Sequence, residues 1–245
     1  MSPRLTLATT GRILRQLRHD RRTIAMIIVV PSVLLTLLKY LFEDQPLVFD
    51  RIGLTMLGVF PMVIMFLLTS VAMLRERTSG TLERLLTTPI AKADILFGYG
   101  LAFAVAAAVQ AAIVSLLSYT LLGLDTLGDQ WLVVVLAIAN AVLGVALGLF
   151  FSAFANSEFQ AVQFMPAVIL PQVLLCGLFT AREQMAGWLQ AISDVLPMTY
   201  AVEALTEVGA HPDPTGTMWR DLTIIVGCVV VALLAGAATL RRRTT

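Results

Sequence analysis

Residues 131–154 read WLVVVLAIANAVLGVALGLFFSAF, a stretch without a single charged side chain. A membrane-spanning helix needs roughly 20 mostly apolar residues, so this stretch alone is long enough to cross a bilayer. Five further runs are also long and mostly apolar, with very few charges. Together the runs predict six spans, at about 23–42, 52–74, 96–122, 131–154, 159–180 and 219–240. We therefore expect an all-α membrane protein with a single transmembrane domain over residues 1–245.

The composition agrees with this expectation. The chain is 58% hydrophobic and 13% charged, whereas soluble domains average about 25% charged residues. The six spans use more than half of the 245 residues, which leaves no room for a sizeable soluble domain. Cys176 and Cys228 both fall in apolar runs, where cysteine behaves as a small hydrophobe, so we expect no disulfide framework.

The positive charges are distributed unevenly along the chain. Of the 17 Lys and Arg residues, 13 lie before the first span, between spans two and three, or after the sixth span. Positive residues in short loops stay on the cytoplasmic side of a membrane. The pattern predicts a multi-pass protein of the plasma or inner membrane with both termini and loop 75–95 in the cytoplasm, which requires an even number of spans.

Two segments outside the spans have mixed character. Residues 4–22 are basic, and Ile13, Leu14 and Leu17 share one helical face, which predicts an amphipathic interfacial helix bound to membrane lipids. A simple topology signal is the alternative. Residues 181–218 are too polar to span and too apolar for a free loop. They predict two short re-entrant helices at the outer surface, divided by Pro197 and anchored by Trp188.

The sequence lacks the usual signs of several functions. Spans two to six hold no Asp, Glu, Lys, Arg or His well inside their cores, which argues against a proton relay. The only histidines, His19 and His211, lie outside the spans, so a Ser–His protease site within the membrane is not expected. We predict neither catalytic residues nor a metal site in this chain, and no nucleic-acid partner. Energy for any transport would come from outside the chain.

Polar uncharged residues mark the fifth span. Asn156, Gln160 and Gln163 follow one another at i, i+4 and i+7, which places them on one helical face. Amides in hydrocarbon need partners, so this face should point inward. It would line a pathway or a subunit contact, or make interhelical hydrogen bonds within one subunit. Pro166 and Pro171 follow in the same span, and each allows a kink.

Small residues mark the fourth span. Gly144 and Gly148 form a GxxxG pattern, which lets two helix backbones approach closely. Packing within the subunit is favoured over a contact between two subunits.

The loop between spans two and three carries the most specific sequence, RERTSGTLERLLTTP over residues 75–89. Leu82, Leu85 and Leu86 share one face of a short amphipathic helix that Pro89 ends. Such an element suits a helix-in-groove contact with a soluble partner, although a solvated connector remains the alternative.

In this loop the chain resembles the six-span permease of type-2 ABC exporters. That family has an E-R-x-x-G-T-L-E-x-L pattern that ends near a proline. The matching positions here are Glu76, Arg77, Gly80, Thr81, Leu82, Glu83, Leu85 and Pro89. The stretch Gln163–Tyr200 is also similar to the last third of the family, although Ala181 stands where the family would have a proline.

The resemblance implies a homodimer, or a pair with a similar permease, bound to separate ABC ATPase subunits that contact the loop. The chain has no GxxxxGK[ST] motif, so it would carry no cofactor itself, and the partner would bind ATP and Mg²⁺. The compact outer loops resemble the daunorubicin-type drug-exporter branch. The expected function is export of lipophilic or amphipathic compounds. The alternatives are export of a lipid-linked polysaccharide or teichoic-acid-like polymer, and a non-transport membrane scaffold or enzyme.

Overall fold

The computed structural model describes residues 2–79 and 92–239, and all of the regular structure in these residues is helical. The helices are α1 (Pro3–His19), α2 (Arg21–Leu41), α3 (Pro46–Thr78), α4 (Lys92–Thr120), α5 (Gln130–Phe151), α6 (Glu158–Leu175), α7 (Gly187–Ser193), α8 (Pro197–Ala210) and α9 (Gly216–Thr239), with 3-10 turns at Ser152–Phe154 and Arg182–Gln184. Six of these helices, namely α2 to α6 and α9, are long and apolar enough to span a membrane. The predicted six-span architecture is confirmed.

The bundle has two distinct ends. One, here called the α1 end, contains α1, the last turns of α3 and residues 152–158. There Arg77 of α3 donates a hydrogen bond to the carbonyl of Ser152 at 2.6 Å. The opposite end contains residues 42–45, 121–129 and 176–215. There the N–H of Asp125 donates to Asp50 at 3.1 Å, and the N–H of Gly128 donates to the carbonyl of Val208 at 2.9 Å.

The centre of the bundle is the contact between α3 and α5. Gly144 and Gly148 of α5 lie directly against the backbone of α3. A Cβ at position 144 would overlap the carbonyl oxygen of Met62, and one at position 148 would lie 2.5 Å from the carbonyl oxygen of Phe66. No side chain larger than hydrogen fits at either place. The expectation that the GxxxG pattern packs within the subunit is confirmed.

A proline inside α2 leaves one backbone carbonyl without its helical donor, and an amide from a neighbouring helix takes the place of that donor. Pro31 has no N–H, so the carbonyl of Ile27 one turn earlier lacks its usual partner. The side chain of Gln110 on α4 donates to that carbonyl at 2.8 Å. The side chain of Asn140 on α5 likewise donates across helices, to the carbonyl of Gly58 on α3 at 2.8 Å, although the carbonyl that Pro61 leaves without a donor is that of Leu57.

This arrangement predicts a coupled effect on stability. Gln110→Leu should lower the free energy of unfolding by about 1 kcal/mol, a typical value for an interhelical hydrogen bond in a membrane protein. In a Pro31→Ala background the same change should cost almost nothing, because the new N–H satisfies Ile27 within α2. A double-mutant cycle of reversible unfolding in mixed micelles measures this. Equal costs in both backgrounds would show that Gln110 acts only by filling space.

Several helix boundaries differ from those predicted, and two of the differences have a clear local cause. The basic segment predicted over 4–22 ends as a helix at His19, because Asp20 accepts hydrogen bonds from the N–H and hydroxyl of Thr23 and begins α2. The span predicted to reach residue 180 ends at Leu175, and Gly177, at φ +92°, turns the chain out of the helix.

Between the fifth and sixth spans lie the two predicted short helices, α7 and α8. Pro197 stands at the first position of α8, where its missing N–H costs nothing. Met198, Ala204 and Leu205 of α8 are fully buried against the core of the bundle. In contrast, Trp188 of α7 is 67% exposed. Entry of this segment into the outer leaflet stays a prediction.

The orientation in the membrane can be tested by cysteine labelling in a variant that lacks Cys176 and Cys228. Cysteines at Thr126 and Thr217, both at the opposite end, should react with a membrane-impermeant maleimide added to intact cells. A cysteine at Ser79, at the α1 end, should react only after the membrane is opened. Labelling of Ser79 from outside would reverse the predicted orientation.

Candidate functional site

The last turns of α3 carry a row of charges at the α1 end of the bundle. Glu76 is largely buried, with 12% of its side chain exposed, and its Oε1 lies 3.6 Å from Nη1 of Arg12 on α1. Arg12 also donates to the hydroxyl of Tyr99 on α4 at 3.0 Å. The cluster of Arg12, Glu76 and Tyr99 thus joins α1, α3 and α4 at one point.

The neighbouring arginines join α3 to the start of α6. Arg75 makes a bidentate ion pair with Glu158, with Nε to Oε1 at 2.8 Å and Nη2 to Oε2 at 3.0 Å. Arg77 binds the carbonyl of Ser152, as described above. Bidentate pairs of this kind fix geometry as well as adding energy. The end of α3 is therefore held from three sides immediately before residue 80.

α1 itself docks on the first turns of α4. Thr6 and the N–H of Ser2 both donate to Oδ1 of Asp94, at 3.1 and 2.9 Å. Thr10 donates to the carbonyl of Gly98 at 3.2 Å. A Cβ at Gly98 would meet Thr9 at 2.7 Å, so α1 and α4 are in close contact. The buried face of α1 is therefore partly polar and binds protein.

Only part of the predicted loop site falls in the described residues. Glu76 and Arg77 belong to α3 and have the contacts given above. The remaining predicted residues, Gly80, Thr81, Leu82, Glu83, Leu85 and Pro89, lie outside the described ranges, so their proposed role stays a prediction.

The predicted polar face of the fifth span is only partly formed. Asn156 precedes α6, and its N–H donates to the side chain of Gln160 at 2.8 Å. It is therefore not on the helical face, because Ser157 caps the helix and begins it at Glu158. Gln163, Pro166 and Pro171 are exposed on the surface of the single chain. The predicted role of this face in a pathway or a subunit contact stays a prediction.

The buried amides of the spans are different ones, which sequence reasoning missed. Gln110, Asn140 and Gln172 are all at least 97% buried. The signal that could have found them was a single amide in the middle of an otherwise apolar run.

A second charged cluster lies at the opposite end. Arg182 pairs with Asp194 and, at 2.8 Å, with Glu203 of α8. Arg220 pairs with two carboxylates. Its Nη2 lies 3.1 Å from Oε1 of Glu203 and 2.8 Å from Oδ1 of the buried Asp221. These ion pairs connect residues 182–194 to α8 and α9. The sequence showed the charges but not their pairing.

A cavity of about 800 Å³ lies between α1, α3, α4 and the start of α6. Its walls include Asp20, Arg75, Glu76 and Glu158 at the charged end and Leu67, Leu68 and Val71 of α3 further in. Tyr99 and Phe103 form the α4 side. Within residues 2–79 and 92–239, no group of three or more His, Cys, Asp or Glu residues could hold a metal ion.

Comparison with known proteins agrees with these features. A family profile described as "ABC-2 type transporter" matches residues 4–208. The chain is 27% identical over 252 aligned positions to the daunorubicin resistance ABC transporter permease protein DrrB1 of Streptomyces coeruleorubidus, covering 97% of this chain and 84% of that protein.

Two other relatives are more partial. The linearmycin resistance permease protein LnrN of Bacillus subtilis is 26% identical over 168 residues, covering 69% of this chain and 43% of that protein. ABC transporter G family member 20 of Dictyostelium discoideum is 26% identical over 141 residues, covering 58% of this chain and 19% of that protein. The chain thus matches less than half of the length of these two relatives.

Proposed function

Because this chain belongs to the ABC-2 type transporter family, we propose that it is the membrane-spanning subunit of an ATP-driven exporter that moves lipophilic or amphipathic compounds, such as drugs and antibiotics, out of the cell. Permeases of this family are the transmembrane part of transporters and are not catalytic enzymes. The observation that carries the proposal is the match over residues 4–208, because it includes five of the six spans and the whole of loop 75–95.

Relatives named for resistance support the choice of substrate class. Resistance to daunorubicin and to linearmycin appears in two of their names. These names favour drug export over the alternative, export of a lipid-linked polysaccharide or teichoic-acid-like polymer. Membership of a transporter family excludes a non-transport scaffold or enzyme.

We place the contact with the ATPase at loop 75–95. A separate ABC ATPase subunit would bind ATP and Mg²⁺ and contact residues 80–89. The contacts of the two residues that precede this stretch support this placement. Glu76 pairs with Arg12 of α1, and Arg77 binds the carbonyl of Ser152. A force on the loop would therefore reach three elements of the bundle at once.

We place a contact between two copies of the chain, or between it and a similar permease, at α6. Only 17% of the residues in the α6 span are buried, against 67% in the α5 span. The α9 span is buried to the same extent as α6, but it contains no amide side chain. Its exposed face combines Phe159, Val162 and Leu170 with the amide of Gln163. An amide exposed to lipid lacks a hydrogen-bonding partner, and a second subunit would supply one. The same face, with Pro166 and Pro171, would then border the route between subunits.

The transport proposal is tested with the tagged chain purified from its own cells together with the proteins it retains. We expect an ABC ATPase to co-purify, and the complex in inside-out vesicles to accumulate a fluorescent amphipathic dye with ATP but not with a non-hydrolysable analogue. Dye movement that is equal with both nucleotides would contradict an ATP-driven exporter.

The subunit contact is tested by cross-linking in the variant without Cys176 and Cys228. A cysteine at Gln163 should form a disulfide-linked dimer in membranes on mild oxidation. A cysteine at Val231, on α9 and 66% exposed, serves as the matched control and should stay monomeric. Cross-linking at Val231 but not at Gln163 would move the contact away from α6.

A further inference from the structure

The cavity at the α1 end has two chemically different regions. Its lining runs along α3 from Leu67 to Ser79. The 12 residue-to-residue steps between them cover roughly 18 Å of helix at 1.5 Å per step. The carboxylates lie at the end near Ser79, and leucine and valine side chains line the inner part. A cavity with these two regions matches an amphiphile with one charged and one apolar end.

The charges that line this cavity are predominantly negative. Arg75 is neutralised by its bidentate pair with Glu158, which leaves Asp20 and Glu76. Arg12 offsets part of the charge of Glu76 at 3.6 Å, but it does not line the cavity. A cleft lined by one sign of charge concentrates ligands of the opposite sign.

The two remaining carboxylates act on a cation in different ways. Glu76 is held by the Arg12 guanidinium and by the Tyr99 hydroxyl, and its Oε2 is buried from solvent. Glu76 therefore acts on a cation in the cavity through its charge, which Arg12 partly offsets, rather than through a free oxygen. Hydrogen bonds from Thr23 hold the pKa of the exposed Asp20 carboxyl below its usual range, so this group is ionised at neutral pH.

The other walls also favour an organic cation. Tyr99 and Phe103 lie one turn apart on α4, and aromatic rings attract cations as well as apolar groups. A volume of about 800 Å³ falls in the range of roughly 300–1,000 Å³ that holds drug-sized ligands. The arginines at positions 15, 18, 21 and 22 do not line the cavity.

We propose that this cavity is a binding site for amphiphilic organic cations, which place the charged group between Asp20 and Glu76 and the apolar body against Leu67, Leu68 and Val71. This inference rests on the proposed export function and narrows its substrate class. It also places a first binding step within one subunit, separate from the α6 face.

The test uses two probes of the same shape and opposite charge, tetraphenylphosphonium and tetraphenylborate. Binding to the full chain in phosphatidylcholine nanodiscs is measured by equilibrium dialysis, with empty nanodiscs subtracted. The cation should bind saturably and the anion should not. Glu76→Gln should weaken cation binding by about tenfold, as expected for the loss of one nearby opposite charge. Asp20→Asn, which keeps a capping side chain, should weaken it less.

The controls separate charge from folding. Glu43→Gln removes an exposed carboxylate at the opposite end and should leave the dissociation constant unchanged. Ala72→Phe places a ring in the cavity and should block the cation without changing any charge. Equal binding of the two probes, or unchanged binding in both Glu76→Gln and Asp20→Asn, would overturn the proposal.

These results are distinct from a failure of the proposed function. Saturable cation binding without ATP-dependent dye transport would refute the proposed export function but support the proposed binding site. ATP-dependent dye transport without saturable cation binding would refute the binding site but not the export function.

Discussion

Gly144→Ala and Gly148→Ala are each expected to reduce the yield of folded protein severely, although each adds only one methyl group. The new Cβ would overlap a backbone atom of α3 or come within 2.5 Å of one, and a backbone cannot rotate away as a side chain can. Forcing extra carbon into a packed core costs about 1–3 kcal/mol when side chains can adjust, so a backbone clash should cost at least the upper value. Thermal unfolding in detergent and the monodisperse yield measure the effect.

Gly227→Ala is the matched control for this experiment. Gly227 also lies inside a spanning helix, but a Cβ there meets nothing within 4 Å. Alanine favours a helix over glycine by about 1 kcal/mol, so this variant should be as stable as the parent or slightly more stable. Normal yield of Gly144→Ala alongside Gly227→Ala would mean that α3 and α5 are further apart than described.

Glu83→Ala and Gly80→Pro are expected to uncouple transport from ATP hydrolysis while the chain still inserts. Under the proposed function, Glu83 contacts the ATPase on the polar face of the loop. Loss of one coupling contact of about 1.4–3 kcal/mol would reduce efflux by at least tenfold. The measurement is ATP-dependent dye uptake into inside-out vesicles, normalised to the amount of permease.

The control for this prediction is Glu183→Ala, which removes an exposed carboxylate at the opposite end. Its efflux should equal that of the parent. Full efflux in both Glu83→Ala and Gly80→Pro would remove the loop from the coupling route, and the α3 cluster would then be structural.

The parts of the fold that follow from local pattern could be predicted from the sequence. Length and apolar character define a span, so all six spans could be located, and the spacing of Gly144 and Gly148 indicated a close helix contact. Asp20 could have been recognised as a cap from its position three residues before Thr23. The hydrogen bonds between Asp20 and Thr23 end α1 and begin α2, although the basic pattern continues from residue 4 to residue 22.

The parts that depend on how helices face one another could not be predicted. Asn156, Gln160 and Gln163 have helical spacing, yet the helix begins only at Glu158, and its buried side holds Ala161, Ile169 and Gln172 instead. Spacing places residues on one face, but it does not say which neighbour that face meets. For the same reason the partners of Arg12, Arg75 and Arg182 could not be read from the chain, although each charge was visible.

The length of α3 has a mechanical consequence. With 33 residues it extends roughly 50 Å, well beyond the hydrocarbon core of about 30 Å. One end is held at Asp50 by the loop after α4 and the other at Arg75–Arg77 by α1 and α6. Its middle touches α5 backbone to backbone near Met62 and Phe66. We therefore expect α3 and α5 to tilt together as one unit about this contact, so that a push on one side of the membrane would appear as a displacement on the other.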